Sequence, residues 1–275
     1  MISEKMKQKL IGFVKEDVSG KDVTTSLITG KNCYAVIKLK EKAVISGLDE
    51  AEFLFRHFGV KVKLQAKNSK TYNKGKILMK LNGNNKKILS IERTALNVLG
   101  RMSGIATASN NAQKIAGKNC RIMLSRKTCP GLNTFDKKAA EEAGVLPHRK
   151  NLNTAFLIKE NHLKFNSIPE LIRKAKTENK KSKTKKVIEV EVKNLSEVKT
   201  ALKEKPDVIM LDNFSLKNAG KALKEIRKQK GIKTEISGNI NFSNLKKYSS
   251  LKPDFISMGF LTHSVKAINL SLLVL

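Results

Sequence analysis

The second half of this 275-residue chain alternates short apolar runs with amphipathic stretches at helical spacing. The runs occupy residues 121–124, 155–158, 187–192, 208–211, 234–236 and 255–258, with patterns such as LSEVKTALKE and LKNAGKALKEIRKQ between most of them. Strands that alternate with helices form a parallel sheet. Charged or small residues end each run, as they do where an α/β barrel builds its active site, whereas a doubly wound sheet would gather them at one switch point. The sequence therefore predicts an open α/β barrel, incomplete because six units are visible.

Cationic residues follow several of these runs. Arg126 and Lys127 follow the first run, Lys159 follows the second, and His148 and Arg149 lie between them in a predicted loop. A cation at the mouth of a buried strand must find an anion or reach solvent. These residues are candidates for an anion site. The alternative is ordinary surface chemistry, because basic pairs are frequent in a lysine-rich chain and a strand-end lysine can extend to water.

Carboxylates and small loops complete the candidate site. Glu191 and Asp212 end consecutive predicted strands, so they are expected to be neighbours that hold Mg²⁺ or ribose hydroxyls, or that pair with local lysines. Two loops, Ser237-Gly238-Asn239 and Gly259 before His263, have the composition of backbone-lined phosphate cradles at helix N-termini.

The first 90 residues mix short helical and strand patterns. Ser90 is then predicted to cap a long helix, because apolar residues recur at helical spacing from Ile91 to Ala106. Gly100 and Gly104 share one face of that helix, which indicates that another backbone or a ligand comes close, and tight packing against another helix is the favoured interpretation.

The net charge raises the question of nucleic acid. The chain has 55 Lys plus Arg against 24 Asp plus Glu, a formal charge of +31, and a basic chain gains affinity for phosphate backbones through counterion release. Only 8 of those cations are arginine and the chain has no tryptophan, so planar donors and stacking rings are scarce. The lysine-rich run 174–186 is accordingly interpreted as a solvated loop, with an RNA or acidic-partner patch as the alternative.

Location and redox chemistry are constrained by what the chain lacks. It contains no apolar run near the ~18 residues of a membrane span, and its opening has only a short apolar core where a signal peptide needs a longer one. The 3 cysteines are too scattered for a disulfide framework or a zinc site. We expect a cytoplasmic protein.

Eight sequence blocks stand in an order that resembles one enzyme family. They are EDVSGKDVTT (16–25), ERTALNVLGRMSGIAT (92–107), SRKTCPGL (125–132), HRKNLNTAFLIKENH (148–162), IEVEV (188–192), IMLDN (209–213), SGNIN (237–241) and GFLTHS (259–264). Together they span nearly the whole chain and resemble the quinolinate phosphoribosyltransferase family, the carboxylating nicotinate-nucleotide diphosphorylases.

The resemblance implies both a fold and a reaction. The implied fold is an N-terminal α/β sandwich domain over residues 1–107, to which residues 266–275 return, and an open α/β barrel over residues 108–265. The implied reaction transfers the phosphoribosyl group of phosphoribosyl pyrophosphate to quinolinate with loss of CO₂, giving nicotinate mononucleotide and pyrophosphate for NAD biosynthesis. Mg²⁺ is the implied cofactor, and the implied assembly is a homodimer or larger homo-oligomer with shared active sites.

The resemblance also implies residue roles. Quinolinate would be held by Arg93 of the other subunit and by Arg126, His148, Arg149 and Lys159. Phosphoribosyl pyrophosphate would be held by Lys127, Glu191, Asp212, Ser237, Gly238, Asn239, Gly259 and His263. The implied catalytic residues are Lys127, Lys159, Glu191 and Asp212, with the two carboxylates serving Mg²⁺ directly or through water.

The sequence departs from the family pattern at a few positions, among them Asn239, which stands where the pattern has glycine. Two alternative functions stay open. One is a related phosphoribosyltransferase-like protein of the molybdenum-transport-associated type, with another acceptor; His148-Arg149 and Lys159 count against it, since a ligand with fewer carboxylates would not require them. The other is a basic RNA-binding protein that has kept the fold, an interpretation that rests only on the charge.

Overall fold

The computed structural model describes residues 2–118 and 120–275, which group into two compact units. The first unit holds the residues up to Asn110 together with Thr128–Gly144 and Ser264–Leu275. The second unit holds Asn111–Lys127 and Val145–His263.

An antiparallel sheet organises the first unit. Its helices are α1 (Glu4–Val18), α2 (Val23–Ser26), α3 (Leu48–His57), α4 (Asn85–Ala116, in this unit up to Asn110) and α5 (Asn133–Glu142). Its strands are β1 (Asn32–Leu39), β2 (Ala43–Val44), β3 (Lys61–Leu64), β4 (Thr71–Tyr72), β5 (Ile77–Asn84) and β13 (Leu270–Val274). The order in the main sheet is β13-β1-β5-β3 with antiparallel pairing, so the last strand of the chain adds to the edge beside β1.

Two glycines of α4 explain how the chain reaches that edge. A Cβ on Gly104 would collide with the carbonyl oxygen of Lys266, and one on Gly100 would lie 2.9 Å from the carbonyl oxygen of Ile268. The Ile268 N–H donates to the Gly100 carbonyl over 3.0 Å. The close approach of another backbone is confirmed, but the neighbour is the non-helical segment that leads into β13 rather than a packed helix.

A parallel sheet organises the second unit. Its strands are β6 (Arg121–Leu124), β7 (Leu146–Pro147), β8 (Ala155–Ile158), β9 (Val187–Val192), β10 (Val208–Asp212), β11 (Lys233–Ser237) and β12 (Phe255–Met258). Its helices are α6 (Glu160–Leu163), α7 (Ile168–Lys181), α8 (Leu195–Glu204), α9 (Leu216–Ile226), α10 (Leu245–Ser249) and α11 (Phe260–His263). The strand order is β7-β6-β12-β11-β10-β9-β8, which forms an open, curled half-barrel.

The strands of this half-barrel read as nearly continuous apolar runs because helices cover one face and the barrel interior covers the other. Val190, Ile209 and Ile236 are all fully buried in the middle of the sheet. The predicted class, an α/β sandwich unit followed by an open α/β barrel, is confirmed.

Three local predictions need correction. The long helix begins at Asn85 instead of after Ser90, because Asn82 and Gly83 continue β5 opposite β1 and the chain turns directly from strand to helix. The lysine-rich run is a loop only from 182 onward; residues 174–181 belong to α7, whose exposed face carries the lysines. Within the described residues the half-barrel has seven strands rather than six, because two-residue β7 pairs with β6.

Candidate active site

The carboxyl-terminal ends of the barrel strands surround a cavity of about 500 Å³ in the second unit. Each strand end contributes side chains to its wall, as expected where parallel strands point the same way. The sequence-predicted residues that line it are Arg126, Lys127, His148, Arg149, Lys159, Glu191, Asp212, Ser237, Gly238 and Asn239. Most of the predicted constellation therefore surrounds a single space.

Three predicted residues lie outside that lining. Arg93 is exposed on α4 in the first unit. Gly259 and His263 follow β12, where a Cβ on Gly259 would lie 3.0 Å from Cδ of Lys127 and 3.1 Å from Cδ2 of His263. The Thr262 hydroxyl donates to the Lys127 carbonyl over 2.8 Å, which ties this loop to the lysine that does line the cavity.

One side of the cavity is cationic. Arg149 is 8% exposed, and its Nη1 donates to the Ala155 carbonyl over 3.3 Å. Its pKa is lowered, first by burial and then by the nearby charge of Arg126, with Glu189 opposing the shift. Two guanidinium groups close enough to repel each other are stabilised by a carboxylate or phosphate between them.

The other side carries carboxylates. Glu191 is half-buried, and its pKa is raised mainly by burial and then by the charge of Asp212, while Lys159 acts in the opposite direction. β9 and β10 are hydrogen-bonded neighbours, which is why these two carboxylates meet at one edge. The two carboxylates therefore lie close enough for their charges to repel each other, as the sequence predicted.

A second group of acidic side chains lies deeper in the barrel than Glu191 and Asp212, and the sequence analysis did not identify it. His148 Nε2 is 2.8 Å from Glu189 Oε2 and 3.6 Å from Glu235 Oε2. Burial raises the pKa of Glu189 to about 7; burial, and then the charge of Glu189, raises that of Glu235 to about 8. Strand periodicity offered a signal, because Glu189 and Glu235 lie two residues before Glu191 and Ser237 and so share their inward face.

Replacing Glu235 with glutamine should flatten the pH dependence of stability. The unfolded carboxyl ionises near 4.5 and the folded one near 8, so the folded chain keeps a proton that the unfolded chain releases. The free energy of unfolding of the unmodified protein should therefore fall as the pH rises from about 5 to 8. Melting curves across that range should show Glu235→Gln losing less of its Tm, by about 10 °C, than the unmodified chain.

Glu225→Gln is the matched control and should follow the unmodified chain, because Lys228 lowers the pKa of this partly exposed carboxylate on α9, so it stays ionised across that range. Parallel curves for Glu235→Gln and the unmodified chain would show that Glu235 does not retain its proton on folding.

A second cavity of similar volume lies within the first unit, between α1, α4 and the segment before α5. Its walls include Phe13, Phe135 and the carboxylate Asp17. Its arginine, Arg101, is held by two 2.8 Å hydrogen bonds to the buried Asp136. This lining suits an anionic ligand less well than the barrel cavity does.

An open barrel of parallel strands whose ends surround cations, carboxylates and small loops is the architecture of an α/β-barrel enzyme for multiply charged anions. Two family profiles match almost the whole chain: "Quinolinate phosphoribosyl transferase, N-terminal domain" over residues 22–103 and "Quinolinate phosphoribosyl transferase, C-terminal domain" over residues 105–273. The chain belongs to the quinolinate phosphoribosyltransferase family.

Relatives and solved structures agree with that assignment. A probable nicotinate-nucleotide pyrophosphorylase (carboxylating) of Methanocaldococcus jannaschii is 42% identical over 270 residues, covering 93% of this chain and 92% of that protein. The Bacillus subtilis protein of the same name is 32% identical, covering 97% and 92%. The nicotinate-nucleotide pyrophosphorylase structure from Francisella tularensis superposes with a TM-score of 0.93 at 31% identity, covering 100% and 98%. These names favour the quinolinate interpretation over both alternatives.

Among the residues that the structure describes, no helix combines the length and the apolar character needed to cross a membrane.

Proposed function

We propose that this chain transfers the phosphoribosyl group of phosphoribosyl pyrophosphate to the ring nitrogen of quinolinate and releases CO₂. The products are nicotinate mononucleotide and pyrophosphate, in the synthesis of NAD. The observation that carries this proposal is the division of one cavity into a cationic side and a carboxylate side. A dicarboxylate and a sugar pyrophosphate require those two chemistries next to each other.

The cationic side suits quinolinate. Arg126, Arg149 and Lys159 hold the two carboxylates of the acid, and His148 contributes from the deeper edge. Arg149 is the most desolvated of the three cations, so its guanidinium fork loses little more hydration when a carboxylate binds. These contacts orient the ring nitrogen towards the anomeric carbon and replace a random encounter with a positioned one.

The carboxylate side suits the sugar. Glu191 and Asp212 carry negative charge where the ribose becomes oxocarbenium-like, and Lys127 stabilises the departing pyrophosphate. The nitrogen–carbon bond forms as the carbon–oxygen bond to pyrophosphate breaks. The pyridinium then accepts the electron pair left by CO₂, and a proton replaces the lost carboxyl group. No nucleophilic side chain is required.

Mg²⁺ fits the same side of the cavity. Carboxylate oxygens are ligands that Mg²⁺ accepts, together with water and substrate phosphates. Burial and then the charge of Asp212 raise the pKa of Glu191, and a cation between the two carboxylates would relieve that repulsion. Glu191 and Asp212 would hold the ion directly or through water, and the ion would supply charge neutralisation for the pyrophosphate leaving group.

The proposal includes an assembly and a location. The protein acts as a homodimer or larger homo-oligomer in which Arg93 reaches the cavity of the other subunit. Its exposure on α4 leaves its guanidinium accessible for that contact. The sequence-based expectation of a cytoplasmic protein is kept here as part of the proposal.

Asp212→Asn tests the carboxylate side. The amide keeps the shape and removes the charge that a hard cation requires, so the affinity for phosphoribosyl pyrophosphate in the presence of Mg²⁺ should fall about 10- to 100-fold. Quinolinate affinity should stay nearly unchanged. Isothermal titration of each substrate, together with a melting curve, separates the two effects. If Asp212 only pairs with lysines, the variant will melt earlier and bind phosphoribosyl pyrophosphate normally.

A further inference from the structure

A chain of side-chain hydrogen bonds at the ends of β10 and β11 terminates on Asp212. Asn239 Nδ2 donates to Asn213 Oδ1 over 3.0 Å, and Asn213 Nδ2 donates to Asp212 Oδ2 over 2.9 Å. We propose that Asn239 is a positioning residue, which acts through Asn213 to fix the oxygen that Asp212 offers to the phosphoribosyl pyrophosphate half of the cavity. This role rests on the proposed function, because it concerns the carboxylate that the function assigns to that substrate.

The direction of these two hydrogen bonds follows from the chemistry of the groups that form them. An ionised carboxylate can only accept, so the group of Asn213 that faces Asp212 must be its NH₂. The carbonyl oxygen of Asn213 then points the other way and needs a donor. Asn239 supplies that donor with its own NH₂ group. Each amide orientation is therefore determined by the one before it, starting from the charge of Asp212.

The backbone places both asparagines where these side-chain hydrogen bonds can form. Asn213 and Asn239 have φ angles of +54° and +50°, in the left-handed region that asparagine tolerates better than most residues. The Asn213 N–H donates to the Ser237 carbonyl over 3.0 Å. Gly238 leaves the room that is needed, because a Cβ there would lie 2.5 Å from Cγ of Asn213.

The far end of the loop is held as well. Asn244 Nδ2 donates to the Asn239 carbonyl over 3.0 Å, which ties the backbone of Asn239 to the start of α10. The side chain of Asn239 is thus anchored at both its own backbone and its acceptor. Losing it would free the Asn213 amide without removing any group that touches Asp212 directly.

These hydrogen bonds determine which oxygen of Asp212 faces a ligand in the cavity. With Oδ2 bound by Asn213, Oδ1 is the oxygen of Asp212 left for a ligand in the cavity that this residue lines. A carboxylate held in this way offers a single oxygen, which suits Mg²⁺ because that ion takes few carboxylate ligands and keeps several waters. Without Asn239, the Asn213 amide can turn and the carboxylate can rotate.

Asn239→Gly is the direct test, because glycine accepts the left-handed backbone and removes only the side chain. By isothermal titration, its Kd for phosphoribosyl pyrophosphate with Mg²⁺ should rise about 3- to 10-fold, the range expected for one lost hydrogen bond. Its Kd for quinolinate should stay unchanged. In steady-state assays the KM for phosphoribosyl pyrophosphate should rise while that for quinolinate does not.

A double-mutant cycle with Asn213→Gly isolates the relay. If Asn239 acts through Asn213, the double variant Asn213→Gly/Asn239→Gly should bind phosphoribosyl pyrophosphate with Mg²⁺ no more weakly than Asn213→Gly alone. Additive losses would show that Asn239 contacts the ligand itself and would overturn the proposal, as would unchanged affinity in Asn239→Gly. Ser243→Ala, an exposed change in the same loop, is the control and should bind normally. Melting curves establish that each variant is folded.

The same titration separates this proposal from the proposed function. If the unmodified chain binds phosphoribosyl pyrophosphate with Mg²⁺ but Asn239→Gly binds it equally well, only the relay is wrong. If the unmodified chain binds neither substrate, the proposed function is wrong and the role of Asn239 falls with it.

Discussion

Arg149→Ala and Lys159→Ala are each expected to lower kcat/KM for quinolinate by about 30- to 5,000-fold, the equivalent of about 2 to 5 kcal/mol for a desolvated charge that loses its partner. Arg149 is buried beside the cavity, and Lys159 follows β8 close enough to Glu191 for its positive charge to oppose the rise that burial and Asp212 cause in the pKa of that carboxyl. A substrate carboxylate that enters this space gives up its hydration. Without its cation it recovers little of that cost, so KM should rise and kcat should fall together.

Lys217→Ala provides the matched control, since Lys217 is an exposed lysine on α9, away from the cavity lining. It should turn over quinolinate normally. Nicotinate, which lacks the second carboxylate, should be a poor substrate for the unmodified chain. Equal turnover of quinolinate and nicotinate would contradict the assignment of this side of the cavity to a dicarboxylate.

Mixing inactive Arg93→Ala subunits with inactive Lys159→Ala subunits is expected to restore activity from near zero to about a quarter of the unmodified level. In a two-fold symmetric dimer, random exchange makes about half of the dimers hybrid, and one of the two sites in each hybrid is free of both lesions. The two residues lie in different units of the chain, Arg93 in the first and Lys159 in the second.

The exchange should be measured after unfolding and refolding of the mixture, with each variant refolded alone as the control. Hybrids that form, as shown by differently tagged subunits, but remain inactive would mean that Arg93 acts within its own chain or that the active sites are not shared.

The barrel could be predicted from sequence because parallel strands are buried on both faces and leave an unmistakable apolar run. The predicted runs 121–124, 155–158 and 255–258 coincide with β6, β8 and β12. Glu191 and Asp212 could be placed together because each lies at the end of one of two consecutive predicted strands, and neighbouring parallel strands end at the same edge of the sheet.

The parts that sequence reasoning missed depend on pairing at long range. Strand β7 has only two residues, and its identity comes from its partner β6 rather than from any local pattern. Yet it delivers His148 and Arg149 to the cavity. Glu189 carries no local signal of its role, because its partners His148 and Glu235 come from other strand ends and meet it only in the barrel interior.

Asn213 and Asn239 illustrate the same limit. Asparagine after a strand is an ordinary turn residue, and nothing local says that residues 26 positions apart share a hydrogen bond. Their contact depends on the register of β10 against β11, in which Asp212 pairs with Ser237. The strands can be predicted from the sequence, but the register between two of them is determined only by the assembled sheet.

The most direct test of the central claim uses quinolinate labelled in its 2-carboxyl group, with phosphoribosyl pyrophosphate and Mg²⁺. Transfer followed by decarboxylation predicts that labelled CO₂, pyrophosphate and nicotinate mononucleotide form in equal amounts, and that none forms when phosphoribosyl pyrophosphate is omitted. Pyrophosphate release without labelled CO₂, or no turnover of quinolinate by a folded chain, would contradict the account.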